Sequence, residues 1–219
     1  DEKLHEKING LNQELEQRVK KRTQQLEAAN QKLKATTLMD SLTQIANRRA
    51  MEKDLINAYI TYQRHHRHYS VALIDIDHFK SYNDYYGHPK GDQALRAIAK
   101  LLTDSIRNTD KVYRYGGEEF LILMPETEMD MAMNIAERAR ANVFLAAEPH
   151  HQSLIGRITI SAGVSANNKS DRNWQAAIKR ADVNLYEAKK NGRNNVARDH
   201  LPTKLTLLTE GKSSKGQPH

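Results

Sequence analysis

A pair of glycines between two strand-like segments constrains the fold more than any other feature of the chain. Gly116 and Gly117 separate KVYRY at residues 111–115 from EEFLILM at residues 118–124. Both segments are rich in aromatic or branched residues, and so short a glycine turn joins two such strands as an antiparallel hairpin. We therefore expect a β-sheet built around this hairpin.

The elements on either side of the hairpin complete a recognisable order. YSVALID predicts a buried strand that ends at Asp75, and apolar residues at helical spacing predict a helix from Asp92 to Arg107. After the hairpin, the pattern predicts a helix at residues 130–147 and a strand in RITISAGVS. Strand, helix, hairpin, helix, strand is the βαββαβ order of ferredoxin-like folds, so we expect an α/β domain of the α+β sandwich type.

This topology brings carboxylates together at one edge of the sheet. Right-handed crossovers make the first two strands parallel and place the third antiparallel between them, so the hairpin turn lies at the carboxyl end of the first strand. There Asp75 meets Glu118 and Glu119. Such a group suits a hard divalent cation, and Mg²⁺ completes its shell with water and phosphate oxygens. The competing interpretation is that Asp75 and Asp77 only cap the end of a strand.

Three further elements surround this core. Asn47 is a cap residue for a predicted helix that reaches about His66. A second helix from Trp174 to Asn191 is stopped by Gly192, and a short final strand follows at residues 194–197. A histidine trio after the first of these helices suggests a metal site, but its arginine neighbours favour a solvated basic loop; the three are His65, His66 and His68.

The amino-terminal segment has a different pattern. From Leu4 to Leu33 apolar residues recur at steps of three and four, with a stutter after Leu11 and an arginine, Arg22, on the seam. So narrow a stripe is typical of a parallel coiled coil. We therefore predict a helical stalk at residues 1–39, a globular domain at residues 40–197 and a disordered tail at residues 198–219.

Composition narrows the class of protein. The chain lacks cysteine, which excludes disulfides and thiol chemistry and is consistent with a cytoplasmic location. Its longest apolar runs are too short to cross a membrane. The net charge of +7 is spread thinly over the chain and lies partly in its two terminal segments, so we do not expect nucleic acid as a partner. Because the chain begins with Asp1, we expect it to be a fragment or a processed form of a longer protein.

The motifs of residues 40–197 resemble those of the GGDEF domains of bacterial diguanylate cyclases, in the GGEEF variant. The resemblance rests on several motifs in the expected order, namely DSLTQIANRR at residues 40–49, DIDHFKSYNDYYGHPKGD at 75–92, RYGGEEF at 114–120, ISAGVS at 160–165 and YEAKKNGRN at 186–194. It implies a core like that of nucleotidyl cyclases and polymerase palm domains. It also implies an enzyme that condenses two GTP molecules into cyclic di-GMP and two pyrophosphates.

The resemblance assigns the chemistry to the carboxylate edge. It implies that Asp75, Glu118 and the Ile76 carbonyl bind Mg²⁺, for which Mn²⁺ could substitute. Glu119 would assist or accept the proton of the attacking hydroxyl, and Lys80 would neutralise phosphate charge during transfer.

It also implies a set of substrate contacts. Asn83 and Asp92 match the positions that read guanine, and His88 either orders the intervening loop or touches the nucleotide. The backbone amides around His78 and Phe79 would hold phosphate oxygens. The terminal phosphates would be gripped by a cationic pair, Lys189 and Arg193.

A regulatory site is implied as well. RNTD, with Arg107 and Asp110 at its ends, resembles the RxxD motif that binds cyclic di-GMP as an inhibitor, and Arg138 resembles a helix arginine that completes this pairing. The implied assembly is a homodimer formed through the amino-terminal helix, in the cytoplasm, with an upstream sensory domain outside this chain. The alternative is an inactive domain of the same type that binds GTP or cyclic di-GMP without turnover.

Overall fold

The computed structural model describes residues 14–27 and 37–199, and the chain divides into two compact units, Asp1–Leu38 and Met39–His219. In the first unit residues 14–27 form helix α1, whose apolar side chains Leu15, Val19 and Leu26 are 57–72% exposed. The other apolar seam positions of the predicted stalk, and all but two residues of the predicted tail, lie outside the described residues.

The second unit contains the sheet and its helices. The strands are β1 (Ala46–Asn47), β2 (Tyr69–Ile76), β3 (Lys111–Gly116), β4 (Glu119–Pro125), β5 (Ile160–Ala166) and β6 (Val196–Arg198). The helices are α2 (Arg48–His65), α3 (Phe79–Tyr86), α4 (His88–Asp104), α5 (Met129–Ala146) and α6 (Gln175–Lys190).

The sheet has the order β1-β3-β4-β2-β5-β6, and its four central strands form the ferredoxin-like core. Strand β4 runs antiparallel between β3 and β2, which makes β2 and β3 parallel, and β5 is antiparallel to β2. The predicted fold class and strand directions are therefore confirmed. The edge strand β1, which the sequence analysis missed, pairs in parallel with β3 through only two residues.

Element boundaries depart from the sequence predictions mainly at the start of the first core helix, α4. Helix α4 begins at His88 rather than Asp92, because Gly87, with φ +83°, turns the chain and Pro89 fits the first helical turn. The short helix α3 precedes it and ends at Tyr86. The Asn47 cap of α2 is confirmed by a 3.1 Å bond from the Ala50 amide to its side-chain oxygen.

Helices cover both faces of the sheet. Odd-numbered residues of β2, such as Leu73, pack with α2 and α6, whereas even-numbered residues, such as Ile74, pack with α4 and α5. Asp75 continues the odd-numbered face, and α6 therefore passes beside it. Across residues 14–27 and 37–199, no group of three or more His, Asp or Glu side chains is gathered for a metal, the histidine trio included. None of the described helices is both long and apolar enough to span a bilayer.

Close packing of α6 on β5 depends on Gly163. A Cβ added at this position would lie 2.0 Å from the Ala181 carbonyl oxygen and 2.2 Å from the Leu185 amide nitrogen, both backbone atoms of α6. No side-chain rotation can relieve such contacts, so the helix itself would have to move.

Gly163→Ala is therefore expected to lower the free energy of unfolding by about 3 kcal/mol or more, measured by urea denaturation with circular dichroism. Gly116→Ala is the matched control, because nothing lies within 4 Å of the added Cβ there. A Gly163→Ala domain as stable as the control variant would contradict this account of the α6 packing.

Candidate active site

The carboxyl end of β2 and the hairpin turn form one corner of the sheet. Asp75 is paired in register with Glu119, and the Ile76 amide donates to the Glu118 carbonyl oxygen over 3.4 Å. Gly117 has φ +53°, a value that favours glycine, and it lets the chain reverse between Gly116 and Glu119. The topology thus brings Asp75, Glu118 and Glu119 to one corner.

A lysine from α6 lies against this corner. Lys189 Nζ is 2.9 Å from Asp75 Oδ2, and the Asp75 side chain is mostly buried. Lys189 was predicted to grip terminal phosphates, and its contact with Asp75 shows that its ammonium group reaches the carboxylate edge itself. The Lys189 ammonium group therefore lies where it can balance the negative charge of the carboxylates and of a bound phosphate.

Burial and mutual repulsion favour the protonated forms of two carboxyl groups at this corner, Asp75 and Glu119. Burial, with the nearby charges of Glu118 and Asp77, raises the pKa of Asp75 despite the ion pair with Lys189. Burial, followed by the charge of Asp75, likewise raises the pKa of Glu119. Clusters of carboxylates with raised pKa values are a common property of sites that bind cations or transfer protons.

This arrangement should lower the stability of the domain at neutral pH. Folding raises the pKa of Glu119, so the folded state binds its proton more tightly than the unfolded state does. The stability that this proton contributes is fully present below the ordinary pKa of 4.5, and it is lost as the pH rises through the raised pKa of the folded state. Glu119→Gln should therefore have a higher melting temperature than the parent chain at pH 7 and the same one below about pH 4. Thermal unfolding across this pH range measures the difference, and equal melting temperatures at pH 7 would contradict it.

The hairpin turn is braced from the start of the domain. Arg114 donates through Nε and Nη2 to the Gly117 carbonyl oxygen, at 3.1 and 2.9 Å, and through Nη1 to both carboxylate oxygens of Asp40. Burial favours the protonated form of Asp40, but hydrogen bonds from Thr43 and Arg114 outweigh it and lower the Asp40 pKa. This link joins two of the motifs across 74 positions, and it was not predicted from the sequence.

The predicted phosphate-binding backbone lies at the start of α3. His78 precedes the helix with φ +57°, Phe79 is buried and Lys80 is exposed. The His78 carbonyl oxygen is 3.2 Å from Nε2 of His150, whose pKa burial lowers. His150 thus buttresses the turn that orients the predicted phosphate contacts, a role the sequence analysis did not foresee.

The residues predicted to read guanine lie on α3 and α4. Asn83 and Asp92 are half-buried, and Asn83 Oδ1 is buried without a hydrogen-bond partner. Gly91 makes room for this group, since a Cβ there would lie 1.8 Å from Asn83 Oδ1. The Asn83 side-chain oxygen therefore packs against the backbone of α4 at Gly91. His88 is exposed in the first turn of α4.

The turn after α6 carries the second predicted phosphate cation. Arg193 is exposed, and the chain is reversed there by consecutive residues with positive φ. The following amide, of Asn194, donates to Asp77 Oδ2 over 3.0 Å. Asp77 therefore belongs to a hydrogen-bond network rather than to a simple strand cap, and no local pattern predicts its partners.

The predicted regulatory motif forms a compact turn. The Arg107 amide donates to Asp110 Oδ2 over 3.1 Å, and the Asp110 amide donates back to the Arg107 carbonyl oxygen over 3.0 Å. Arg107 remains exposed. Arg138, on α5, donates through Nε to the Ser105 carbonyl oxygen over 2.8 Å. Arg138 is thus held at Ser105, two residues before Arg107 in the chain. The Asp110 carboxylate accepts a hydrogen bond within the turn that follows.

The donor set at the corner fits a magnesium ion. The predicted ligands are two carboxylates, Asp75 and Glu118, and the Ile76 carbonyl, which are the hard oxygen donors that Mg²⁺ accepts.

The strand order and the carboxylate corner are those of a palm-like α/β domain. Residues 37–195 match the family model described as "Diguanylate cyclase, GGDEF domain". Since this match covers most of the chain, the chain belongs to the GGDEF domain family.

Named relatives and solved structures agree. Diguanylate cyclase VdcA of Vibrio cholerae is 40% identical over 167 residues, covering 75% of this chain and 48% of the relative. Response regulator PleD of Caulobacter vibrioides is 42% identical over 161 residues, covering 72% and 35%. The coiled coil and GGDEF domain of DgcB from Caulobacter crescentus, solved with c-di-GMP, aligns with a TM-score of 0.69 at 29% identity, covering 84% of this chain and 99% of that one.

A second solved structure is of a domain with the GGEEF form of the signature. The active GGEEF domain of a diguanylate cyclase from Vibrio cholerae aligns with a TM-score of 0.65 at 36% identity, covering 72% of this chain and 99% of that one. The chain spans about a third to a half of the length of the curated relatives it matches, from 35 to 48%.

Proposed function

We propose that this chain is the catalytic part of a diguanylate cyclase, which joins two GTP molecules into cyclic di-GMP and releases two pyrophosphates. The observation that carries the proposal is the corner where Asp75 pairs with Glu119 and contacts Lys189. Acidic groups for a metal and a cation for phosphate meet there, and phosphoryl transfer requires both.

The metal would be Mg²⁺, or Mn²⁺ in its place, held by Asp75, Glu118 and the Ile76 carbonyl. When bound, such an ion neutralises charge on the transferring phosphate and makes the attacking 3′-hydroxyl more acidic. Glu119 is suited to take the proton of that hydroxyl, because burial and the Asp75 charge raise its pKa.

The substrate would lie across α3, α4 and the turn after α6. The amides of His78 and Phe79 begin α3, where partial positive charge favours phosphate oxygens, and Lys80, Lys189 and Arg193 add full charges. Asn83 and Asp92 read the guanine edge, with His88 ordering the loop between them. Both side chains are half-buried, and together an amide and a carboxylate offer the donors and acceptors that recognition of a guanine edge needs.

Two half-sites are needed, because one domain binds one GTP and each nucleotide attacks the other. We assign the pairing to the amino-terminal helix. In helix α1 the exposed side chains Leu15, Val19 and Leu26 are spaced at four and seven residues and so share one face, as a coiled-coil seam requires. The partner is a second copy of the chain, and a sensory domain upstream would act through this helix.

Feedback inhibition by the product is assigned to Arg107, Asp110 and Arg138. Exposed Arg107 projects from a turn fixed by Asp110, and its planar fork suits both guanine stacking and phosphate binding. Arg138 is tethered beside the same turn.

Arg107→Ala is expected to leave the initial rate within about twofold of the parent chain and to weaken inhibition by added cyclic di-GMP at least about tenfold. Progress curves with and without added product measure both quantities. Arg96→Ala, at an exposed arginine of α4, is the matched control. Unchanged inhibition in Arg107→Ala would assign the product to another surface.

The function is tested by incubating the chain with GTP and Mg²⁺ and separating the nucleotides by chromatography. Cyclic di-GMP and pyrophosphate are the expected products, and specific activity should rise with enzyme concentration if two copies must meet. Binding of GTP without any product would instead establish the inactive binding module.

A further inference from the structure

Asp77 is a buried carboxylate for which the proposed chemistry has no use. Its side chain lies two residues beyond Asp75, and only 2% of the residue is exposed. Oδ1 accepts from Ser161 Oγ at 2.7 Å, while Oδ2 accepts from Thr159 Oγ1 at 2.7 Å and from the Asn194 amide at 3.0 Å. Both oxygens are thus engaged by protein donors, which argues against a role as a metal ligand.

The segment that Asp77 contacts has an unusual backbone. Gly192, Arg193 and Asn194 have φ values of +102°, +63° and +44°, so three consecutive residues are left-handed. Glycine adopts this conformation freely, but arginine and asparagine do so at a cost, and successive left-handed residues rarely persist unless other groups hold them.

Two side chains from elsewhere in the domain hold this turn. Asp77 accepts the Asn194 amide, and Arg140 Nη1 on α5 donates to Asn194 Oδ1 over 2.7 Å. Within the turn, the Arg193 amide donates to the Ala188 carbonyl oxygen over 3.1 Å. Of these two side chains, Asp77 is the one beside the predicted metal ligands, because it directly follows the last residue of β2.

We infer that Asp77 is a positioning residue, whose buried carboxylate fixes the Gly192–Asn194 turn to the end of β2 and thereby sets where Arg193 meets the terminal phosphates of GTP. The inference rests on the proposed function. It links the predicted metal ligand Asp75 and the predicted phosphate contact Arg193 through one rigid group, without Asp77 touching either ion or substrate.

The test is a double-mutant cycle read by calorimetric binding of an α,β-methylene GTP analogue with Mg²⁺. Arg193→Ala and Asp77→Ala should each weaken binding about tenfold, and the double variant should be no weaker than Arg193→Ala alone, because losses that share one cause do not add. The matched cycle of Asp77→Ala with Asp92→Ala should give losses that multiply, since Asp92 is assigned to guanine.

Asp77→Asn separates positioning from metal binding. An asparagine keeps the volume and one oxygen that can accept the Asn194 amide, so analogue binding should stay within about twofold of the parent chain. Losses that multiply in the Asp77/Arg193 cycle, or an Asp77→Asn variant whose Mg²⁺-dependent binding collapses, would overturn the inference.

Circular dichroism establishes that each variant is folded. Should Asp77→Ala be unfolded, Asp77→Ser takes its place in both cycles, since the single short hydroxyl of serine cannot occupy the positions of both carboxylate oxygens. If the parent chain itself fails to bind the analogue, the proposed function fails, a result distinct from a cycle whose losses multiply.

Discussion

Glu118→Gln should reduce the turnover of GTP to cyclic di-GMP at least about tenfold, equivalent to about 1.4 kcal/mol of activation free energy. The substitution preserves the volume of the side chain and removes one negative charge from the carboxylate corner. A neutral amide oxygen is a much poorer ligand for Mg²⁺ than a carboxylate. The rate should recover in part as the Mg²⁺ concentration is raised, because the defect is one of metal affinity.

The measurement is the initial rate of product formation across a range of Mg²⁺ concentrations. Glu126→Gln is the matched control, since Glu126 pairs with Arg67 on the exposed surface at the other end of β4 and should keep a normal rate. A Glu118→Gln variant with a normal rate and a normal Mg²⁺ dependence would remove Glu118 from the metal site.

The central part of the fold could be predicted because local signals and topology agreed there. The glycine turn fixed the hairpin, the handedness of crossovers fixed the strand directions, and both together predicted that Asp75 would face Glu119. The observed register bears this out. Strand β1 was missed because two residues give no periodicity, and its pairing with β3 is a property of the assembled sheet.

The supports of the site could not be predicted, because they join residues far apart in the chain. Asp77 reaches Thr159, Ser161 and Asn194 across 82 to 117 positions, and Arg114 reaches Asp40 across 74. No spacing rule connects such pairs. Gly163 and Gly91 were likewise overlooked, because a glycine that permits close approach looks the same in sequence as one that permits a turn.

Gly91 shows how much a site can depend on the absence of a side chain. It lies inside α4, where replacing glycine by alanine normally stabilises a helix by up to about 1 kcal/mol. Its added Cβ would nevertheless lie 1.8 Å from Oδ1 and 2.9 Å from Cγ of Asn83, so the Asn83 carboxamide would have to rotate away. The cost of the substitution should therefore fall on substrate recognition more than on stability.

Gly91→Ala is accordingly expected to raise the KM for GTP at least about tenfold while the melting temperature changes little. Because the two shortest contacts of the new Cβ are with Asn83, and the next, Phe79 Cζ, lies at 3.3 Å, adding Asn83→Ala to it should cause little further loss. Arg96→Ala, at an exposed position of the same helix, is a control that leaves Asn83 in place. A normal KM in Gly91→Ala would show that the Asn83 amide does not read the nucleotide from this position, and guanine recognition would then have to rest on Asp92 alone. Losses that multiply in the double variant would show that the added Cβ acts through a group other than Asn83.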